Sequence, residues 1–146
     1  MINSNNITLF LVDDDAVYLK SLEIEFLELG GFTVQTFATG ELCLQSLQDK
    51  PDIVILDYHL NGINKDAMNG LQTLDKIKEV DPNILVIILS SQDKIDVAVK
   101  CMHHKASDYV VKSETAFTRL NHIIPLILHY KKVEKELQWY MARVNL

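Results

Sequence analysis

Ile53-Val54-Ile55-Leu56-Asp57 is the stretch of sequence that decides the fold. A short, unbroken apolar run with turn-forming residues after it, here Asn61-Gly62, predicts a strand buried on both faces, as at the centre of a parallel sheet. In open α/β sheets, ligands lie at the carboxyl ends of such strands. Asp57 ends this strand, so it is a candidate for chemistry rather than for solubility.

Four other segments predict strands: residues 7–12, 32–37, 84–89 and 107–111. Residues 32–37 alternate apolar and polar side chains, which predicts a position toward the edge of the sheet. Amphipathic segments lie between the strands and begin at residues that favour helix N-termini: Asp15, Thr39, Asn69 and Asp93. Strands that alternate with helices predict βαβ units, a parallel sheet and right-handed crossovers.

The composition predicts one globular domain. The chain has 146 residues and a net charge of −6, which argues against a body that grips nucleic acid by its phosphates. No apolar stretch is long enough for a membrane span, and the first residues lack the basic and apolar regions of a signal peptide. Cys43 and Cys101 lie far apart, which predicts two buried free thiols rather than a disulfide or metal pair. We therefore expect a cytoplasmic protein without a membrane partner.

Polar residues end four of the predicted strands: Asp13-Asp14, Asp57, Ser90 and Lys112. In a parallel sheet these strand ends share one edge. Three neighbouring carboxylates repel one another unless a cation lies among them, and oxygen ligands with room for water favour Mg²⁺. A hydroxyl and an ammonium group at the same edge suit the oxygens of a phosphoryl group. The residues therefore predict a Mg²⁺-assisted phosphoryl site with a carboxylate acceptor.

The same residues resemble a known family. Leu11-Val12-Asp13-Asp14-Asp15, Asp57, Ser90 and Val111-Lys112 are similar, in order and spacing, to the receiver domain of two-component response regulators, as in the chemotaxis regulator. The resemblance covers residues 8–127. It implies a flavodoxin-like (βα)5 fold, a doubly wound parallel sheet with strand order 2-1-3-4-5.

The resemblance also implies roles for individual residues. Asp57 would accept a phosphoryl group from a histidine kinase or a histidine phosphotransfer protein. Asp14 would bind Mg²⁺ directly, Asp13 would act mainly through a metal-bound water, and the backbone carbonyl of His59 would complete the protein ligands. Such a domain is a signalling acceptor that phosphorylates and dephosphorylates itself, and it is not an enzyme with a separate substrate.

Three further residues have roles implied by the resemblance. Ser90 would hydrogen-bond the phosphoryl group, and Lys112 would pair with it. Tyr109 corresponds to the aromatic switch of the family, which turns inward as the hydroxyl residue, here Ser90, moves toward the phosphoryl group.

The chain departs from the family pattern after the acceptor. Leu60 is followed by Asn61 where the family usually has proline, and Met68-Asn69-Gly70 comes later than the family pattern places it. The inserted residues 62–67 lengthen the loop beside the site. The positions that tune phosphoryl lifetime in the family hold His59 and Gln92 here.

Two other functions fit parts of this pattern. A haloacid-dehalogenase-like Mg²⁺ phosphatase would use Asp13 and Asp15 of an Asp-x-Asp motif, but it would leave Asp57 without a role. A non-phosphorylated receiver-like binding module would not need the complete set of acidic, hydroxyl and lysine residues. His103 and His104 resemble a metal pair, but adjacent helical residues point about 100° apart, which favours solvated or capping roles.

The last helix is predicted to continue beyond the domain. We expect a tail at residues 1–6, the receiver domain at 7–127 and a helical extension at 128–146. Along the extension, apolar residues step by four and three: Leu126, Tyr130, Val133, Leu137, Tyr140 and Val144. This pattern, called the seam below, predicts a homodimer contact or a connector to an output domain, or else a helix folded back on its own domain. Pro125 is expected to kink the helix without ending it, and the mixed charges beside the seam favour a solvated face over a nucleic-acid contact.

Overall fold

The protein is described by a computed structural model that covers residues 6–144. Most of the predicted N-terminal tail (residues 1–5) and the last two residues of the predicted extension lie outside the described residues. Residues 6–144 form five strands: β1 (Ile7–Val12), β2 (Phe32–Phe37), β3 (Ile53–Asp57), β4 (Leu85–Ser90) and β5 (Asp108–Val111). The prediction placed β4 and β5 one residue too early at their starts. Ile84 belongs to the preceding turn, where its backbone N–H donates to the Asp81 carbonyl.

The strands form one parallel sheet in the order β2-β1-β3-β4-β5, which confirms the predicted topology. β3 lies at the centre and pairs with β1 and β4, with Leu56 beside Val12 and Asp57 beside Leu89. All five residues of β3 are buried. β2 is an edge strand, as its alternating pattern predicted.

Five helices connect or follow the strands: α1 (Ala16–Leu29), α2 (Gly40–Gln45), α3 (Gly70–Val80), α4 (Ile95–His103) and α5 (Ala116–Val144). The predicted caps at Asp15, Thr39 and Asn69 are confirmed, and Asn69 forms a capping box with Gln72. The prediction that Asp93 caps α4 is wrong. Lys94 is the N-cap residue, and no side chain caps that end of the helix.

The helices cover both faces of the sheet, as parallel sheets require. One core contains Phe10, Val54, Leu56, Leu74 and Ile77 and lies on the α2–α4 side, and the other contains Leu9, Ile55, Phe26, Leu120 and Ile124 and lies on the α1–α5 side. Cys43 and Cys101 are free and buried, as predicted. These two cores fix the five strands and therefore the side chains at their carboxyl ends.

α5 packs on the sheet through its first half only. Leu120 and Ile124 are buried and Ile127 is partly buried, as predicted, whereas most residues from His129 to Val144 are exposed. The helix continues through Pro125, so the proline does not end it; the predicted kink remains a prediction. Within residues 6–144, no helix is both long enough and apolar enough to cross a membrane.

Candidate functional site

Three carboxylates meet at the carboxyl edge of the sheet. Asp13 and Asp14 follow β1, Asp57 ends β3, and one oxygen of each carboxylate lies within 4.8 Å of those of the other two. Asp13 and Asp57 are each only 4% exposed. The backbone fixes them: the Asp15 N–H donates to Asp13 Oδ1 over 2.9 Å, and the His59 N–H donates to Asp57 Oδ1 over 3.3 Å. The structure therefore brings together the three predicted carboxylates.

Lys112 brings a positive charge into this cluster from the end of β5. Its Nζ lies 2.8 Å from Asp13 Oδ2 and 3.3 Å from Asp57 Oδ1. The contact with Asp13 is an ion pair that lacks good hydrogen-bond angles, so this buried Oδ2 has no hydrogen-bond partner among the described residues. One ammonium group therefore pairs with both buried carboxylates, and among the described residues Asp13 Oδ2 accepts no hydrogen bond besides this ion pair.

The charges in the cluster are not balanced. Burial, and then repulsion from Asp13, raise the pKa of Asp57 from 3.8 to about 6, although Lys112 opposes the shift. Burial acts to lower the pKa of Lys112, but its contacts with Asp13 and Asp57 outweigh burial, and the pKa is raised. The site thus holds a lysine that stays charged and has an excess of negative charge that a cation would relieve.

Ser90, at the end of the strand next to β3, and Tyr109, on β5, are linked through the backbone of Gln92. Ser90 is fully buried at the end of β4, and its Oγ accepts from the Gln92 N–H over 3.1 Å. The Tyr109 hydroxyl donates to the Gln92 carbonyl over 2.6 Å. Burial is the main cause that raises the pKa of Tyr109, so the hydroxyl is protonated and can donate at neutral pH. Both predicted switch residues therefore contact one residue of the loop after β4.

The two positions that the family uses to tune phosphoryl lifetime are in contact. Gln92 Nε2 lies 3.2 Å from His59 Nε2. The His59 side chain is exposed and lies against Gln92; the role of its backbone carbonyl as a metal ligand stays a prediction.

Gly70 permits close packing behind Asp57. A Cβ at position 70 would lie 2.7 Å from Tyr58 Cα and 2.8 Å from the Tyr58 carbonyl oxygen, and it would also collide with the Asp57 carbonyl oxygen. The Gly70 N–H donates to Tyr58 O over 2.9 Å, so the start of α3 is joined directly to the end of β3. Since all three of these atoms belong to the backbone, a side chain at position 70 would displace the end of β3, which carries Asp57.

The sequence reasoning missed two features of the site. Lys112 Nζ lies 4.6 Å from the centroid of the Tyr18 ring, a cation–π contact. Asp14 Oδ2 accepts two hydrogen bonds from the inserted loop, from the Gly62 N–H over 3.1 Å and the Ile63 N–H over 3.2 Å. No local pattern signals either contact, because both depend on residues that are distant in sequence or on backbone groups.

The other candidate residues either lie apart from this cluster or hydrogen-bond to backbone N–H groups. Asp15 Oδ1 accepts from Val17 N and Tyr18 N at 3.1 Å each, which makes it a helix cap. His104 Nδ1 lies 2.8 Å from Asp75 Oδ1, while His103 is exposed, so the two histidines do not share a site.

Comparisons with known proteins agree with this geometry. The family model described as the response regulator receiver domain matches residues 9–124. The C4-dicarboxylate transport transcriptional regulatory protein DctD of Rhizobium meliloti (strain 1021) is 35% identical over 106 residues, which are 72% of this chain and 22% of DctD. The chain spans less than half the length of the first curated relatives that it matches.

Solved structures show the same fold. The signal receiver domain of a putative LuxO repressor protein from Vibrio parahaemolyticus has a TM-score of 0.76 and 25% identity, covering 90% of this chain and 97% of that one. A chain of the CheX-CheY-BeF3-Mg²⁺ complex from Borrelia burgdorferi has a TM-score of 0.72 and 26% identity, covering 83% of this chain and 89% of that one. None of these matches supports the phosphatase alternative. The chain belongs to the receiver domains of two-component response regulators.

Proposed function

We propose that Asp57 accepts a phosphoryl group from a phosphohistidine of a histidine kinase or histidine phosphotransfer protein. The observation that carries this proposal is the position of the Asp57 carboxylate, buried between two other carboxylates and the ammonium group of Lys112. A carboxylate oxygen of Asp57 attacks phosphorus, the new O–P bond replaces the P–N bond, and the histidine leaves with the electron pair of that bond. With a pKa of about 6 in the metal-free protein, Asp57 is mostly ionised at neutral pH, which is the state that can attack phosphorus.

The proposal includes Mg²⁺ as the cofactor. The excess negative charge among three carboxylates and the all-oxygen ligand set fit this ion. Asp14, Asp57, the His59 carbonyl and, through water, Asp13 would hold it, and the similar chain from Borrelia burgdorferi was solved in a complex with BeF3 and Mg²⁺. When bound, the ion would neutralise charge as the phosphoryl group approaches.

Ser90 and Lys112 are assigned to the phosphoryl oxygens. Lys112 is held within reach by its pairs with Asp13 and Asp57 and keeps its charge, which suits a group that stabilises anionic oxygens. The Ser90 hydroxyl supplies a hydrogen-bond donor on the β4 side of Asp57.

A switch follows from the contacts of Gln92. When Ser90 moves toward the phosphoryl group, the bond from the Gln92 N–H to Ser90 Oγ is broken, and the loop that holds the Tyr109 hydroxyl moves with it. Tyr109 is then free to turn inward. This couples the chemistry at Asp57 to the surface formed by α4 and β5.

The chain is proposed to act as a signalling acceptor without a separate substrate, with residues 7–127 as the receiver unit. Its net charge of −6 argues against direct contact with nucleic acid by this domain. Buried free thiols suit a reducing compartment, which supports the proposed cytoplasmic location.

The C-terminal extension is proposed to pair with a second copy of the chain. The six seam residues are 45–79% exposed, so the described helix does not use them to fold back on its own domain. In a parallel pair, His129 of one helix would lie near Glu134 of the other, at the flanking positions, where the two polar side chains can hydrogen-bond. A seam of residues 126–144 is roughly 28 Å long, which supports only a weak, concentration-dependent dimer.

Sedimentation equilibrium over a range of concentrations tests the dimer. Leu137→Glu should shift the equilibrium to monomer, whereas Gln138→Glu, which adds the same charge outside the seam, should leave it unchanged. A monomer at all concentrations, or equal behaviour of the two variants, would contradict the pairing.

Phosphorylation is tested by incubating the protein with Mg²⁺ and acetyl phosphate and measuring the intact mass. We expect one added phosphoryl group in the wild type and in Asp15→Asn, and none in Asp57→Asn or in EDTA. Labelling that survives Asp57→Asn but is lost in Asp13→Asn would support the phosphatase alternative, and no labelling would support a binding module.

A further inference from the structure

The inserted loop, residues 62–67, contacts the site through one carboxylate, that of Asp14. Gly62 and Ile63 present consecutive backbone N–H groups to the same oxygen, Asp14 Oδ2, at 3.1 and 3.2 Å. Consecutive N–H groups that converge on one anion form a nest, an arrangement that binds negative charge. Asp14 and this loop are far apart in sequence, so the contact is a tertiary feature of the fold.

The loop is also ordered by its own contacts. Asn64 accepts from Asp66 N through its side chain, over 3.1 Å, and from Ala67 N through its carbonyl, over 3.0 Å. At the end of the loop, Met68 N donates to Glu41 Oε2 over 2.9 Å. These contacts order the segment that directly follows the N–H groups of Gly62 and Ile63.

Two N–H donors fill the hydrogen-bonding capacity of Oδ2. Oδ1 of Asp14 has no hydrogen-bond partner among the described residues and is the oxygen left for a cation. Mg²⁺ usually takes one oxygen from each carboxylate in a strict octahedron, so a carboxylate with one oxygen already engaged suits it. Hydrogen bonds to a ligand's second oxygen fix its orientation, and their loss typically weakens metal binding 10–100-fold.

We propose that the inserted loop is a positioning element of the metal site, in which the N–H groups of Gly62 and Ile63 orient Asp14 for Mg²⁺. This rests on the proposed function only in that Asp14 is a metal ligand. By linkage, Mg²⁺ that fixes Asp14 also stabilises the loop, because both act on the same carboxylate. The loop that distinguishes this chain from the family pattern is thus sensitive to the occupancy of the metal site.

Calorimetric titration with Mg²⁺ tests the proposal. Ile63→Pro removes one of the two N–H donors. The change should disturb little else, because the Ile63 side chain is 78% exposed and the preceding Gly62 has no Cβ to clash with the proline ring. Lys65→Pro is the matched control: it lies at the second position of the Asn64–Ala67 turn, where proline is favoured, and its N–H makes no hydrogen bond among the described residues.

We expect Mg²⁺ affinity to fall about tenfold in Ile63→Pro and to stay unchanged in Lys65→Pro. Equal or higher affinity in Ile63→Pro would overturn the proposal. Asp14→Asn separates this result from a failure of the proposed function. If the wild type binds no Mg²⁺, or Asp14→Asn binds it as well as the wild type does, the metal site itself is wrong and both proposals fail.

Limited proteolysis of the wild type gives a second measurement that needs no substitution. Trypsin can cut after the exposed Lys65, and the cut after Lys132 on the distant extension is an internal control. Saturating Mg²⁺ should slow cleavage after Lys65 several-fold without changing cleavage after Lys132, and Ile63→Pro should lose this protection. Faster cleavage after Lys65 would mean that the metal displaces the loop from Asp14. Unchanged cleavage would mean that metal binding and loop order are not linked. Either result overturns the proposal.

Discussion

Asp57→Asn should make the metal-free protein more stable at neutral pH. The substitution removes a buried negative charge that burial and Asp13 disfavour, and the balance that raises the Asp57 pKa to about 6 already includes the attraction of Lys112. Asparagine keeps the oxygen that accepts from the His59 N–H. A residue proposed as essential for function is therefore expected to reduce the stability of the fold.

The pH dependence gives the magnitude. A carboxyl whose pKa is raised in the folded state binds its proton more tightly there, so wild-type stability falls as pH rises between 3.8 and about 6. A shift of about two pKa units means that ionised Asp57 lowers the free energy of unfolding by at most about 3 kcal/mol. This loss is present in full near pH 7.5 and is roughly halved near pH 5. Because an asparagine at position 57 does not titrate, the variant should lack this loss.

Urea unfolding followed by circular dichroism measures the difference. It should be carried out in EDTA near pH 7.5 and pH 5, and again near pH 7.5 with excess Mg²⁺, which should reduce the advantage of Asp57→Asn. Asp66→Asn makes the same change at an exposed loop position and should change the free energy of unfolding by less than about 0.5 kcal/mol. A less stable Asp57→Asn, or a gain that is insensitive to both pH and Mg²⁺, would refute the picture of an acidic cluster with excess charge.

Three further predictions test the site and its support by the same unfolding measurement. Gly70→Ala should cost at least about 2 kcal/mol, because its Cβ meets the backbone of residues 57 and 58; a neutral result would contradict the close packing. Gly40→Ala should also destabilise the fold, since its Cβ would clash with the Thr73 hydroxyl and lie 2.9 Å from Thr73 Cγ2. Adding Thr73→Ala should relieve this clash, so the double variant should be more stable than the sum of the two single changes predicts. Simple additivity of the two free-energy changes would exclude the clash. Lys112→Met should cost about 2 kcal/mol at neutral pH, because it leaves Asp13 and Asp57 unpaired. Because pairing raises the pKa of Lys112, this contribution should persist below pH 10.5 and be lost as pH rises above it; an equally stable variant would contradict the ion pairs.

Apolar runs and the residues that end them were sufficient to predict the strands and the carboxyl edge. β3 and β4 are uninterrupted apolar segments buried on both faces, and such patterns have few alternatives. The convergence of Asp13, Asp57 and Lys112 follows from parallel strands once the order of the sheet is known. The order itself came from the family resemblance, because strand periodicity does not specify neighbours.

Boundaries were less predictable than elements. Asp93 is a good capping residue by type, but the backbone enters α4 one residue later, at Lys94, and local sequence does not decide between adjacent starts. The helix that begins after Thr39 is short, since α2 ends at Gln45 and a 3₁₀ turn at Leu47–Asp49 follows.

Contacts made by backbone groups of loops could not be predicted at all. The inserted loop has no periodicity, and nothing in its sequence indicates that Gly62 and Ile63 donate to Asp14. The connection from Ser90 through Gln92 to Tyr109 likewise depends on how the loop after β4 folds. Both sets of contacts depend on loop conformation, which the periodicity of the sequence does not encode.

The central claim is that one carboxylate, at residue 57, receives the phosphoryl group within a site shared with Asp13, Asp14, Ser90 and Lys112. Its most direct test is to phosphorylate the protein with acetyl phosphate and Mg²⁺, trap the acyl phosphate by borohydride reduction and map the reduced residue by peptide sequencing in the mass spectrometer. The account predicts reduction at residue 57 alone, with a lower yield in Lys112→Met. Reduction at Asp13, or at several exposed carboxylates with residue 57 unmodified, would contradict it.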